Sequence, residues 1–66
     1  MTDKQRCLAA AYEAIGCAMA ALDRAHDALL RAGIDAHHQG RLTHARQKAS
    51  LAQTDVGVRI MAEVSK

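Results

Sequence analysis

Histidine and cysteine are the side chains of this 66-residue sequence that are best suited to metal binding or nucleophilic chemistry. A zinc site needs three or four ligands, and two histidine ligands on one helix lie four residues apart. His37 and His38 are adjacent, so on a helix their side chains point about 100° apart. No cysteine or carboxylate obviously completes a set, and we expect neither a metal site nor another cofactor.

His26 lies about as far before the predicted bend between two helices as Arg41 lies after it. It could therefore approach His37 and His38 at the closed end of a hairpin. Three roles stay open for it: a packed or hydrogen-bonded histidine, a pH-sensitive histidine at an interface, or a metal ligand. The packed histidine is the simplest of the three.

The sequence offers little support for catalysis. Its four glycines are scattered, and none of them belongs to the Gly-Lys-Ser sequence that ends a phosphate-binding loop. No pair of carboxylates and no Ser/His/Asp set stands out. We therefore expect a protein that is not an enzyme.

Cys7 and Cys17 lie on one predicted helix with a rise of about 15 Å between them, too far for an internal disulfide. We expect buried or reduced thiols in a cytoplasmic protein, and a disulfide between two subunits is the alternative. The longest uncharged run in the apolar region covers residues 14–22, too few to span a membrane. Glu13 interrupts what would be the apolar core of a signal peptide.

A first helix is predicted over about residues 3–32. Thr2 can cap it, with Gln5 three positions on in capping-box spacing, and Asp3 is the rival cap. Large side chains then recur at steps of three and four, the spacing of a helix face that packs against a neighbour. This seam consists of Leu8, Tyr12, Ile15, Met19, Leu22, His26 and Leu29.

Small residues flank this seam in two columns with seven-residue spacing. Such columns let two helices approach closely, so we place Ala18 and Ala25 with the seam in the core or the dimer interface. The alternative is that alanine recurs only because it is the best helix former. The columns consist of Ala11, Ala18, Ala25 and Ala32, and of Cys7, Ala14, Ala21 and Ala28.

Residues 33–35 carry the signals of a bend between two helices. Gly33 suits the left-handed position after a helix C-terminus, and Asp35 is a good N-cap for a second helix over about residues 36–64. Residues 55–60 also alternate like a strand, although no partner strand is apparent. The predicted seam of the second helix is Leu42, Ala45, Ala49, Ala52, Val56, Ile60 and Val64.

A surface for a partner is predicted on the second helix. Positions 36 to 54 hold no acidic residue, and basic side chains recur there along one face. Apolar side chains follow on the second half of the helix, so the cations would steer a partner and the apolar groups would anchor it. The alternative is an ordinary solvated face. The predicted partner-binding residues are His37, Arg41, His44, Lys48, Leu51, Val58 and Met61.

Self-association is expected because so short a chain buries too little apolar surface to be stable alone. Half of its residues are hydrophobic, but alanine supplies fifteen of them, and each alanine buries little area. The predicted fold class is all-α. We expect a single domain, an antiparallel two-helix hairpin, that dimerises into a four-helix bundle.

This plan resembles the Rop-type plasmid RNA-binding hairpins, which dimerise into a four-helix bundle with small core residues. The resemblance covers the hairpin plan and the length, and it implies nucleic-acid binding. A net charge of only +2 and a single aromatic residue argue against that function. We therefore predict a homodimer that binds another protein and regulates it by inhibition. The alternative is a Rop-like nucleic-acid binder. No membrane partner is expected.

Overall fold

The computed structural model describes residues 2–65, apart from the side chains of Ala36 and His38. Two long helices form a hairpin: α1 spans Asp3–Arg31 and α2 spans Gly40–Val64. A short 3-10 turn leads from the bend into α2. These elements confirm the predicted all-α fold class and the two-helix plan.

Contacts between the helices establish their relative direction. Lys4 Nζ lies 2.8 Å from Glu63 Oε1 at the end of the hairpin remote from the bend, which we call the open end. Nearer the bend, Arg46 Nε donates a hydrogen bond to Asp23 Oδ1 at 3.2 Å. The start of α1 thus meets the end of α2, and the helices run antiparallel. Residues 55–60 lie within α2, so the strand alternative is wrong.

The N-terminus of α1 is closed by the predicted capping box. The Thr2 hydroxyl accepts a hydrogen bond from the Gln5 backbone N–H at 3.1 Å, and the Thr2 N–H donates to Gln5 Oε1 at 3.0 Å. Two backbone N–H groups at the start of the helix are thereby satisfied. Asp3, the rival cap, is instead the first helical residue, where its negative charge suits the helix dipole.

Gly33 ends α1, as the sequence predicts. Its φ of 92° lies in the left-handed region. The Gly33 N–H donates to the Leu30 carbonyl at 3.1 Å, and the Ile34 N–H donates to the Leu29 carbonyl at 2.9 Å. These two bonds form a Schellman motif, which satisfies carbonyls that a helix end would otherwise leave unpaired.

The start of α2 differs from the prediction of a helix that begins behind an Asp35 cap. The α-helix begins at Gly40, after the 3-10 turn of residues 36–39. Gln39 holds this turn: it is only 2% exposed, and its Nε2 donates to the Ile34 carbonyl at 3.1 Å. Because the buried amide bonds the backbone of the bend, the chain makes one tighter turn before the α-helical hydrogen bonds begin.

The predicted seam of α1 faces α2. Tyr12 and Leu29 remain 43% and 37% exposed, so a single neighbouring helix covers this seam only in part. The other five members are half-buried: Leu8, Ile15, Met19, Leu22 and His26.

α2 is rotated relative to its predicted seam. Three predicted members are exposed: Ala45, Ala52 and Val64. Half-buried polar side chains lie against α1 in their place: Arg46, Gln53 and Glu63. Two of these form the ion pairs described above, and Gln53 Nε2 donates to the Tyr12 backbone carbonyl at 3.3 Å. An alanine methyl offers little apolar area, so the predicted face has little advantage over the observed one, which also makes these cross-helix polar contacts. The remaining members keep their predicted place: Leu42, Ala49, Val56 and Ile60.

No apolar side chain is fully buried within the described part of the chain. The hairpin measures 50 × 14 × 11 Å, and its radius of gyration is 15.2 Å. A compact domain of this length would have a radius of gyration of about 11 Å. The two helices cover each other on one side only, so most of their apolar surface stays available to another molecule.

Replacing Gly33 with Ala is expected to destabilise the hairpin by about 1–2 kcal/mol, because a side chain is strained at this positive φ. Gly40→Ala is the matched control. A Cβ at Gly40 would meet nothing within 4 Å, and alanine favours the helix, so stability should hold or rise by up to about 1 kcal/mol. Urea denaturation of both variants measures the two free energies. Equal losses would contradict the role of Gly33 in the bend.

Candidate interaction surface

The basic stripe, defined as His37, Arg41, His44 and Lys48, is exposed along its whole length. Its three members on α2 lie within about 10 Å of helix rise. Arg46, the other basic residue in this half of α2, lies outside the stripe and pairs with Asp23 on α1. The first half of α2 therefore presents a row of basic side chains to solvent.

Leu51 continues the basic stripe with an exposed apolar side chain. It follows His44 by seven residues and lies within about 20° of it around the helix. Leu42 and Ile60 are half-buried and mark the side of α2 that faces α1. Leu51 is nine residues from each of them, so its side chain points about 180° away from α1. Leu51 is 63% exposed. The predicted steering cations and one predicted anchor thus share the outer surface of α2.

Val58 and Met61, the other predicted anchors, line a groove between the two helices near the open end. This open-end groove has a volume of about 560 Å³, and no charged side chain lines it. Leu51 is not one of its lining residues, although Val58 follows Leu51 by seven residues and shares its face of α2. The open-end groove is lined by Tyr12, Thr54, Gly57, Val58, Ile60 and Met61.

Gly57 lets the two helices approach closely beneath this groove. A Cβ at Gly57 would lie 3.4 Å from Cε2 of Tyr12, so the tyrosine ring packs against the backbone of α2. A smaller groove of about 180 Å³ lies beside it at the open end. Because Ile60 lines both grooves, they form one apolar surface. The smaller groove is lined by Gln5, Leu8, Ala9, Ile60 and Val64.

A third groove, with a volume of about 440 Å³, lies nearer the bend and is more polar. It contains the ion pair of Asp23 and Arg46, and the half-buried His26 lies between the helices beside it. The predicted approach of His38 to His26 lies outside the described side chains. The other lining residues of this groove are Leu22, Leu42, Thr43, Gln47 and Ser50.

The predicted core and dimer residues differ in how far the hairpin covers them. Ala25 is half-buried, whereas Ala18 is exposed together with the other members of the two small-residue columns. Cys7 and Cys17 are free and exposed, so of the expected buried or reduced thiols the hairpin leaves only the second alternative. The reason is geometric: α1 packs along a single seam, and both cysteines point away from it.

No group of three or more His, Cys, Asp or Glu side chains in the described part of the chain is placed to hold a metal ion. We expect EDTA to leave the helicity and the oligomeric mass of the protein unchanged. Circular dichroism and sedimentation with and without EDTA measure both quantities. A stoichiometric metal that is lost together with helicity would overturn this expectation.

Within residues 2–65, neither helix combines the length and the hydrophobicity of a membrane-spanning segment. Comparison of the chain with protein-family models, curated proteins and solved structures finds no match. The function is therefore inferred from the surfaces described above.

The open-end groove contains residues that were not predicted to bind anything, above all Gly57 and Ile60. In the sequence, Gly57 looks like a weak point of the second helix. A bend at residues 33–35 nevertheless places position 12 opposite this region of α2. A glycine facing an aromatic residue across two antiparallel helices indicates close packing, and that signal was available in the sequence.

Proposed function

We propose that this chain is a small regulatory protein without enzymatic activity of its own. It acts as a homodimeric helical hairpin that binds a protein partner and inhibits it by covering part of the partner's surface. The observation that carries this proposal is the exposed Leu51 at the end of the exposed basic stripe, on the side of α2 that faces away from α1.

Each part of this surface has a separate physical role in binding. The basic side chains attract an acidic rim over several ångströms and raise the association rate. Leu51 contributes affinity once it enters an apolar pocket and loses its contact with water. An acidic-rimmed apolar groove on another protein is the complementary partner. A chain of 7.1 kDa inhibits most simply by occupying such a groove.

Nucleic-acid binding in the manner of the Rop-type hairpins is the second candidate. The exposed basic stripe favours it, because a dimer would present the stripe twice. Against it stands the packing of Tyr12, the only aromatic residue, whose ring lies on Gly57 instead of being free to stack on a base. The net charge of +2 is also small for a phosphate-binding surface.

A pulldown from a bacterial lysate, with and without nuclease and followed by mass spectrometry, separates the two candidates. The tagged wild-type chain is compared with a Leu51→Asp chain as bait. We expect one protein to be retained by the wild type after nuclease treatment and lost from the Leu51→Asp bait. Loss of every specific partner on nuclease treatment would contradict the proposal and favour the nucleic-acid candidate.

A further inference from the structure

We infer that a second copy of this chain occupies the open-end groove, so that two hairpins join through the apolar surface around Tyr12, Ile60 and Met61. The inference rests on the homodimer of the proposed function and deepens it, because it states which surface joins the copies. The partner-binding surface on the outside of α2 is a different one.

The hairpin exposes more surface than a compact monomer of the same mass, and the excess is about the area that one partner buries in a standard interface. Its accessible surface is 5107 Å². A compact monomer of 7.1 kDa exposes roughly 4,100 Å². The excess of roughly 1,000 Å² is close to the 800 Å² or so that each partner buries in a standard interface. One second copy on one face therefore brings the chain to the exposure of an ordinary compact protein.

Four of the eight large apolar side chains that are exposed in the described hairpin lie at this surface. Three others, Leu29, Leu30 and Ile34 at the bend, are only 37–45% exposed. Val58, Met61 and Val64 are 64%, 68% and 71% exposed within the last two turns of α2, and Tyr12 lies across from them on α1. Burial contributes about 25 cal/mol for each Å² of apolar surface. These side chains offer far more area than the methyl groups of the small-residue columns. The open-end groove is thus the stronger site for a second copy.

A symmetric dimer needs one surface that supplies both a cavity and the side chains that fill it. The open-end groove meets this condition, because the exposed side chains of Met61 and Val58 lie beside the depression that Tyr12 and Gly57 line. Methionine is flexible enough to fill an irregular cavity on the other copy. The groove near the bend does not meet it, since a second copy there would bury the ion pair of Asp23 and Arg46.

The inference divides the predicted partner-binding residues between two surfaces. Met61 joins the two copies, whereas Leu51 and the basic stripe stay on the outside of the dimer. Val58 follows Leu51 by seven residues, within about 20° of it around α2, and lies at the edge between the two surfaces. Leu51 lies about 80° around α2 from Met61, so both surfaces can be occupied at once.

Thiol protection tests this assignment. In a Cys7→Ser, Cys17→Ser background, single cysteines are introduced by Met61→Cys, Leu51→Cys or Ala18→Cys. Their alkylation rates with iodoacetamide are measured across the concentrations at which sedimentation shows monomer and dimer. We expect the Met61→Cys thiol to react at least about tenfold more slowly in the dimer. Leu51→Cys is the matched control, since both native side chains are similarly exposed on the same helix, and its rate should not change.

Protection of Ala18→Cys in place of Met61→Cys would put the second copy on the small-residue columns and overturn the inference. A dimer that protects none of the three thiols, or a chain that stays monomeric, would overturn it as well. As a second measurement, Met61→Glu should raise the dimer dissociation constant roughly 100-fold, because a symmetric interface carries the change twice, and Leu51→Glu should not. Failure of the proposed function is a separate result, namely partner binding that survives Leu51→Asp.

Discussion

Leu51→Asp is expected to abolish binding of the protein partner while the chain stays helical and dimeric. Leu51 is 63% exposed and faces away from α1, so its replacement should change the free energy of unfolding by only about 0.5 kcal/mol. In the complex, the same carboxylate would enter an apolar pocket. We expect the affinity to fall by at least about 100-fold, the effect of losing a central anchor. Isothermal titration calorimetry measures it, and Leu51→Met is the control that keeps an apolar side chain.

Charge reversal in the basic stripe separates a protein partner from a nucleic acid. For a protein, Arg41→Glu together with Lys48→Glu should mainly slow association and reduce its dependence on salt. For a nucleic acid, the relative size of the two effects reverses. Charge reversal would remove most of the affinity and flatten a steep salt dependence, and Leu51→Asp would change the affinity little. If neither change affects the binding of an identified partner, the binding surface is not on α2.

Dilution is expected to unfold the hairpin, so that helicity is lost together with the dimer. No described apolar side chain is fully buried in the single hairpin, and most of the stability of helices in proteins comes from tertiary packing of an apolar face. The second copy must therefore supply much of the apolar burial. Because association stabilises only the folded chain, the melting temperature should rise with protein concentration. Circular dichroism and sedimentation equilibrium over the same concentration series measure helicity and mass together.

The control for this experiment is a tandem chain in which a flexible linker joins two copies. The linker makes association intramolecular, so the melting temperature of the tandem chain should hardly depend on protein concentration. A stable, fully helical monomer of the single chain at micromolar concentration would contradict the prediction. It would also show that the cross-helix polar contacts are sufficient to hold the hairpin together.

Both ends of α1 were predictable because each depends on residues that are close in the chain. The hydroxyl of Thr2 and the amide of Gln5 reach each other across one turn, whatever the rest of the protein does. Gly33 adopts its positive φ at no steric cost, which ends the helix locally. The seam of α1 follows in the same way, because large side chains repeat at helical spacing on one face.

The rotation and the start of α2 were decided only by tertiary contacts. α2 carries small residues on several sides, so its own hydrophobic pattern does not single out one packed face. The packed face is the one on which Arg46, Gln53 and Glu63 each contact a partner on α1, and no local rule could supply those partners. Likewise, Gln39 delays α2 by one turn through hydrogen bonds to the backbone of the bend.

The two candidate surfaces differ in the same way: one follows from the spacing of residues along the chain, and the other depends on tertiary contacts. Leu51 and the three members of the basic stripe on α2 follow from spacing along one helix, and their exposure agrees with that spacing, whereas His37 lies in the 3-10 turn before it. The open-end groove exists only where two helices meet, since the ring of Tyr12 on α1 packs against Gly57 on α2. A periodic pattern records which side chains share a face of one helix. What the facing helix places beside them depends on how closely the two backbones approach, and that is a property of the packed pair.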